Sequence, residues 1–135
     1  MLAPRLALCH FDLLVLAAAG GNGTPSIPTA IGRNERILSP LRIGSARDAQ
    51  EAVEVDETSP SGRPSIAHYI RKLFVVSDND AYNRLYEFVG QEEMNRGLWE
   101  KGYREVRLTH RLSMVLSPEE NRHTNPFEFY RGDET

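Results

Sequence analysis

Four consecutive polar residues, Ser77-Asp78-Asn79-Asp80, carry the side chains of this chain best suited to directional chemistry: a hydroxyl, two carboxylates and a carboxamide. Such groups first of all cap helices, because a short side-chain oxygen can accept an N–H that the first turn leaves unpaired. The flanks support a corner of that kind. Before it, Ile66, Tyr69, Ile70, Leu73 and Phe74 recur at helical spacing on one apolar face. After it, Ala81, Leu85, Phe88 and Val89 repeat the pattern, and Gly90 ends it. The expectation is a helix, a polar corner and a second helix, with Asp78, Asn79 or Asp80 as the cap.

Ser65 after Pro64 is a good N-cap for the first helix. A third helix is expected from about Gln91 to Gly102, with Met94, Leu98 and Trp99 inward and Glu92–Arg96 and Arg96–Glu100 as pairs on its surface. Met94 and Trp99 read as core, and His68 as a solvated helix residue rather than a catalytic one. Residues 52–56 alternate like a short strand. Further on, Ser117-Pro118-Glu119-Glu120 has the form of a capping box with proline at the first helical position, and Asn125-Pro126 forces a turn. The long polar stretch between Gly102 and Phe127 is of the kind that is functional or mobile.

Composition bounds the rest. The chain has 135 residues, is 40% hydrophobic and 26% charged, and carries a net charge of −3. That is ordinary globular composition for at most one domain, with no basic stripe for nucleic acid. Cys9 is the only cysteine, so no intramolecular disulfide forms, and His110 and His123 lack cysteine partners for a metal site. No cofactor is expected. Residues 1–19 contain Arg5 and the apolar run 13–19, loosely like a secretory leader, but His10 and Asp12 interrupt it and it is too short to span a membrane. Residues 20–50 are rich in Gly, Pro, Ser and Arg and keep no period, so residues 1–50 read as leader and poorly ordered linker, and residues 51–135 as the structured part.

The segment from Ser65 to Leu85 resembles the helix, Ser-Asp-Asn corner and following helix of the class A β-lactamase-like and penicillin-binding serine hydrolases. Val76-Ser77-Asp78-Asn79 matches the family's second signature element, and Ala81, Asn83 and Leu85 match the residues that follow it. Arg107-Leu108 and residues 120–126 resemble the entry and exit of the family's active-site Ω-loop. The resemblance covers residues 51–130 and implies a mainly α fragment, part of the helical lobe of the family's α/β fold. It implies a small-molecule or peptide substrate such as a β-lactam, a peptidoglycan peptide or an ester, and a periplasmic or secreted location. By the same resemblance Ser77 passes a proton to the departing nitrogen, Asn79 holds the substrate's side-chain amide, Asp78 braces the corner, and Asn83 fixes the Ω-loop.

The departures from the family pattern are equally specific. No serine has lysine three residues on, so the Ser-x-x-Lys nucleophile is missing from this sequence. Lys72 precedes Leu73-Phe74 and Lys101 precedes Gly102-Tyr103, so neither supplies Lys-Thr-Gly or Lys-Ser-Gly. Residues 111–116 contain no carboxylate to activate a deacylating water. The expectation is a truncated serine hydrolase unit, inactive alone, whose apolar faces, including Phe74, Leu85 and Phe88, are left without partners. The alternatives are a helical binding module or an unrelated helical domain in which Ser77-Asp78-Asn79-Asp80 is only a helix cap.

Overall fold

A computed structural model describes residues 37–48 and 50–130. Strand β1 (Leu41–Ile43) comes first, followed after a long loop by three helices, α1 (Ile66–Val76), α2 (Asn79–Val89) and α3 (Gln91–Glu100). A second loop holds a single 3-10 turn (Glu120–Arg122) and leads to strand β2 (Phe127–Phe129). The strands pair antiparallel, with Leu41 opposite Phe129 and Ile43 opposite Phe127. The architecture is therefore mainly helical with a small two-stranded sheet.

Local chemistry sets the helix ends. The Ser65 hydroxyl accepts the His68 N–H at 3.1 Å and starts α1. Helix α1 ends on Ser77, whose φ of 55° lies in the left-handed region and whose N–H closes on the Leu73 carbonyl. Asp78 then starts α2 by accepting the Ala81 N–H at 2.9 Å. Between α2 and α3 the chain turns on Gly90 alone, at φ 84° and ψ 145°. That conformation is nearly closed to residues with a Cβ. Nothing lies within 4 Å of where a Gly90 Cβ would stand, so Gly90→Ala should lower stability by about 1–3 kcal/mol through backbone strain alone. Urea denaturation of the two forms checks this.

Burial follows the apolar periodicity in α1 only as far as Leu73. Ile66, Tyr69 and Leu73 are buried, whereas Phe74, Val75 and Val76 are exposed. Leu85 is buried and Phe88 packs edge-on against Phe127 and Phe129, so of the three side chains expected to lack partners only Phe74 shows substantial surface. Helix α2 is buried continuously from Ala81 through Glu87, polar residues included. Helix α3 turns Met94 and Leu98 inward, and Trp99, half-buried, donates its indole N–H to the Val106 carbonyl at 2.8 Å. On its surface Arg96 pairs with Glu93 and Glu100 rather than with Glu92.

Three residues of the stretch read as linker form β1, and Leu41 and Ile43 join the same core as the helices. Three residues are too few to display a period of two, which is why the composition of their surroundings dominated the expectation. Conversely, residues 52–56 form no strand; Val53 alone makes a bridge, exchanging hydrogen bonds of 2.8 Å with Ile43. The leader and linker expectations for residues 1–36 lie outside the described residues. Among the described residues no helix is long and apolar enough to cross a membrane.

Candidate functional site

The corner between α1 and α2 presents Ser77, Asp78, Asn79 and Asp80, and each side chain has a different fate. Ser77 is exposed, and its hydroxyl has no hydrogen-bond partner among the described residues. Asp78 faces back toward the body of the corner, where Lys72 Nζ lies 3.3 Å from its Oδ2 and 3.7 Å from Asp56 Oδ2. Asp80 is 3.3 Å from Arg84 Nε, one turn along α2. Asn79, exposed, donates through Nδ2 to the hydroxyl of Ser113 at 2.8 Å.

Burial pushes the Asp78 carboxyl up, but the Ala81 N–H and the Lys72 ammonium outweigh it and hold the group below its ordinary value of 3.8. Asp56 is held down in the same way: hydrogen bonds from Thr58 and the nearby Lys72 and His68 overcome burial. A carboxyl depressed on folding contributes its full stabilisation above the unfolded value and loses it as pH falls through the folded value. Stability should therefore drop below about pH 3.8, and Asp78→Asn should flatten part of that slope. Urea midpoints at about pH 6 and about pH 2.5 measure it.

Asn83, one helical turn beyond Asn79, uses both ends of its carboxamide on one loop residue. Its Nδ2 donates to the Leu112 carbonyl at 2.9 Å and its Oδ1 accepts the Leu112 N–H at 2.7 Å. Helix α3 repeats the device: Asn95 donates to the Leu108 carbonyl and accepts the Leu108 N–H, both at 2.7 Å. A third carboxamide, Asn121, accepts the Arg111 N–H at 2.8 Å. Loop backbone that would otherwise lack partners is thus paired by asparagines projecting from helices and a turn. The turn itself is a reciprocal capping box: Ser117 N–H donates to Glu120 Oε2 at 2.7 Å, and Glu120 N–H to Ser117 Oγ at 3.2 Å.

Beneath the loop lies a residue that the sequence did not single out. The Arg111 side chain is 1% exposed and pairs through Nε with Glu87 Oε1 at 3.0 Å. Its other nitrogens donate to the carbonyls of Glu120 at 3.0 Å and His123 at 2.5 Å. Glu87 also faces Arg84 at 3.8 Å and accepts from Asn125 at 3.3 Å. Burial raises the Glu87 carboxyl above its usual range despite the two guanidinium groups and the Asn125 amide. The one signal in the sequence is the placement of Glu87 and Arg84 on a helix otherwise facing the core.

His68 is not a solvated residue. Its Nε2 lies 2.9 Å from Thr58 Oγ1 and 3.6 Å from Asp56 Oδ2, with only 11% of the side chain exposed. Thr58 gives its single hydroxyl proton to Asp56 Oδ1 at 2.5 Å, so His68 Nε2 is the donor in their contact. The pair is therefore a tether of the 56–62 loop, not a hydroxyl aimed at a base. A cavity of about 250 Å³ is lined by Arg47, Asp48, Gln50, Leu116 and Glu120, and by none of the corner residues. Among the described residues no group of three or more His, Cys, Asp or Glu side chains could hold a metal ion.

What the corner assembles is an exposed set of uncharged hydrogen-bonding side chains, Ser77, Asn79 and Ser113, on a backbone fixed from below by Asn83 and Arg111. Such groups can pass a proton through a hydroxyl and hold an amide through a carboxamide. A family model described as the β-lactamase enzyme family matches residues 39–131. Comparison with curated proteins gave no match, and comparison with solved structures gave none either.

Proposed function

Since the chain belongs to the β-lactamase enzyme family, we propose that its Ser77–Asn83 corner is the substrate-holding and proton-passing part of a serine hydrolase site. The observation that carries this is the joint placement of the corner and the loop: Asn83 clamps Leu112, and Asn79 meets Ser113 at 2.8 Å. In this reading Ser77, exposed and without a side-chain partner among the described residues, passes a proton to the departing nitrogen. Asn79 holds the amide of a small β-lactam, peptide or ester substrate. Asp78 is the brace that fixes the direction of α2, and Asn83 positions the loop.

The nucleophile is not one of these residues. A hydroxyl becomes an effective nucleophile only beside a base, and Ser77 has neither a lysine three residues on nor an amine or imidazole hydrogen-bonded to it among the described residues. The 135 residues contain no Ser-x-x-Lys and no Lys-Thr-Gly or Lys-Ser-Gly. The chain itself should then show no turnover. Assays with a chromogenic cephalosporin and a simple ester should stay at the uncatalysed rate; saturable hydrolysis by the purified chain would contradict the assignment. A periplasmic or secreted location belongs to the same proposal.

The alternative is a helical binding module in which the corner is a cap and nothing more. The Asp78 bond to the Ala81 N–H favours it, since that contact needs no substrate. It does not account for the meeting of Asn79 with Ser113 across 34 residues of sequence.

A further inference from the structure

Ser113 stands where no sequence signal pointed. Its φ is 56°, and it shares with Ser77 the distinction of being a non-glycine residue with positive φ among the described residues. A left-handed serine costs about 1 kcal/mol or more and persists only where its neighbours over-determine it. Here they do. Leu112 is clamped by Asn83 on both its N–H and its carbonyl, and Arg111 is bonded through its N–H to Asn121 and through its side chain to Glu87. The consequence is a hydroxyl turned out beside Asn79 on an exposed surface.

Among the described residues neither side chain makes a second hydrogen bond. After Asn79 Nδ2 has donated to Ser113 Oγ, the Asn79 Oδ1 and the Ser113 O–H are still available to a ligand. We propose that Ser113 is a ligand-holding residue, and that Asn79 and Ser113 together grip one uncharged amide. The Ser113 O–H donates to the amide carbonyl, and Asn79, whose Nδ2 donates to the same hydroxyl oxygen, fixes the direction of that O–H. A hydroxyl held as a donor in this way favours an amide, which brings a carbonyl acceptor, over a free amine, which brings none. This assignment rests on the reading of the corner as a substrate site.

The test is a chemical-shift titration of the full chain, labelled with 15N, using two probes that differ at that group. Benzylpenicillin carries a neutral side-chain amide; 6-aminopenicillanic acid carries a free amine there. Benzylpenicillin should shift the Asn79 side-chain amide and the Ser113 backbone N–H, and should bind more tightly than 6-aminopenicillanic acid. Ser113→Ala and Ser113→Gly should each weaken benzylpenicillin about five- to tenfold, the effect of one lost hydrogen bond, and leave 6-aminopenicillanic acid unchanged. Glycine also relieves the positive φ, so that variant decides the matter if alanine disturbs the loop. If both variants keep benzylpenicillin binding within about twofold while Asn79→Ala abolishes it, Asn79 reads the amide alone and the Ser113 assignment fails. If neither probe shifts any resonance of the corner in the unaltered chain, the substrate-site reading itself is overturned, and Ser113 with it.

Discussion

Arg111→Met should destabilise the chain by about 3–5 kcal/mol, the usual result of stripping one partner from a buried ion pair. Methionine keeps the length of the side chain and removes all of its donors. Glu87, with 4% of its side chain exposed, would retain Arg84 at 3.8 Å and Asn125 at 3.3 Å but lose the 3.0 Å bond to Arg111. The carbonyls of Glu120 and His123 would lose a partner as well. Against a total of about 5–15 kcal/mol for a natural domain, a loss of that size leaves little. The partner substitution separates charge from packing. Adding Glu87→Gln to Arg111→Met removes a buried carboxylate that has lost its closest cation, so the double variant should be more stable than the single one. The pH dependence has a definite sign. A carboxyl raised on folding contributes stability that is complete below its unfolded value and lost as pH rises through the folded one. Glu87 is already raised by burial, so Arg111→Met should regain stability on mild acidification, opposite to the trend set by Asp56 and Asp78. A urea midpoint for Arg111→Met within about 1 kcal/mol of the unaltered chain would show that the loop is not anchored through this pair.

The second large effect is chemical. In a version completed with a Ser-x-x-Lys segment and a Lys-Thr-Gly or Lys-Ser-Gly segment, Ser77→Ala should lower kcat/KM about 10²–10⁴-fold, the usual range for a positioned proton-transfer group. Asn79→Ala should lower it about tenfold or more by removing amide contacts. Both side chains are exposed, so neither substitution should disturb the core. Asp78→Ala makes the contrast. It removes an N-cap and the Lys72 pair, which should cost about 1 kcal/mol of stability with a smaller effect on turnover per folded molecule. Unchanged turnover in both Ser77→Ala and Asn79→Ala would reduce the corner to a helix cap.

What was legible in the sequence was local. Ser65, Asp78, Gly90 and the Ser117–Glu120 box each act within a few residues, and the chemistry of a cap or a left-handed turn restricts which residue can stand there. The inward positions of Met94 and Leu98 follow from periodicity. The misses have one physical character: they depend on contacts distant in sequence. Leu41–Ile43 is a strand because Phe127–Phe129 lies beside it, and nothing within those three residues records that. Phe74 continues the apolar stripe of α1 but keeps about half of its surface exposed, 49% against 0% for Leu73. Arg111 sits in a polar loop without period, and only the fold shows that it is buried against Glu87. The asparagine clamps use a residue type that reads as surface or cap, although buried Asn95 pairs with the backbone of Leu108 thirteen residues away. The proposed site divides the same way. Ser77, Asp78, Asn79 and Asn83 could be named from a motif, while Ser113 emerges only once the loop is folded onto α2.

Incubation of the purified chain with excess benzylpenicillin, followed by intact-mass measurement, tests most directly the claim that the corner serves a site whose nucleophile is absent from these 135 residues. A single species at the mass of the unmodified chain is expected at every time and concentration. A species heavier by one penicilloyl group, mapped by peptide fragmentation to Ser77, would make that serine the nucleophile and overturn its role as the proton-passing group.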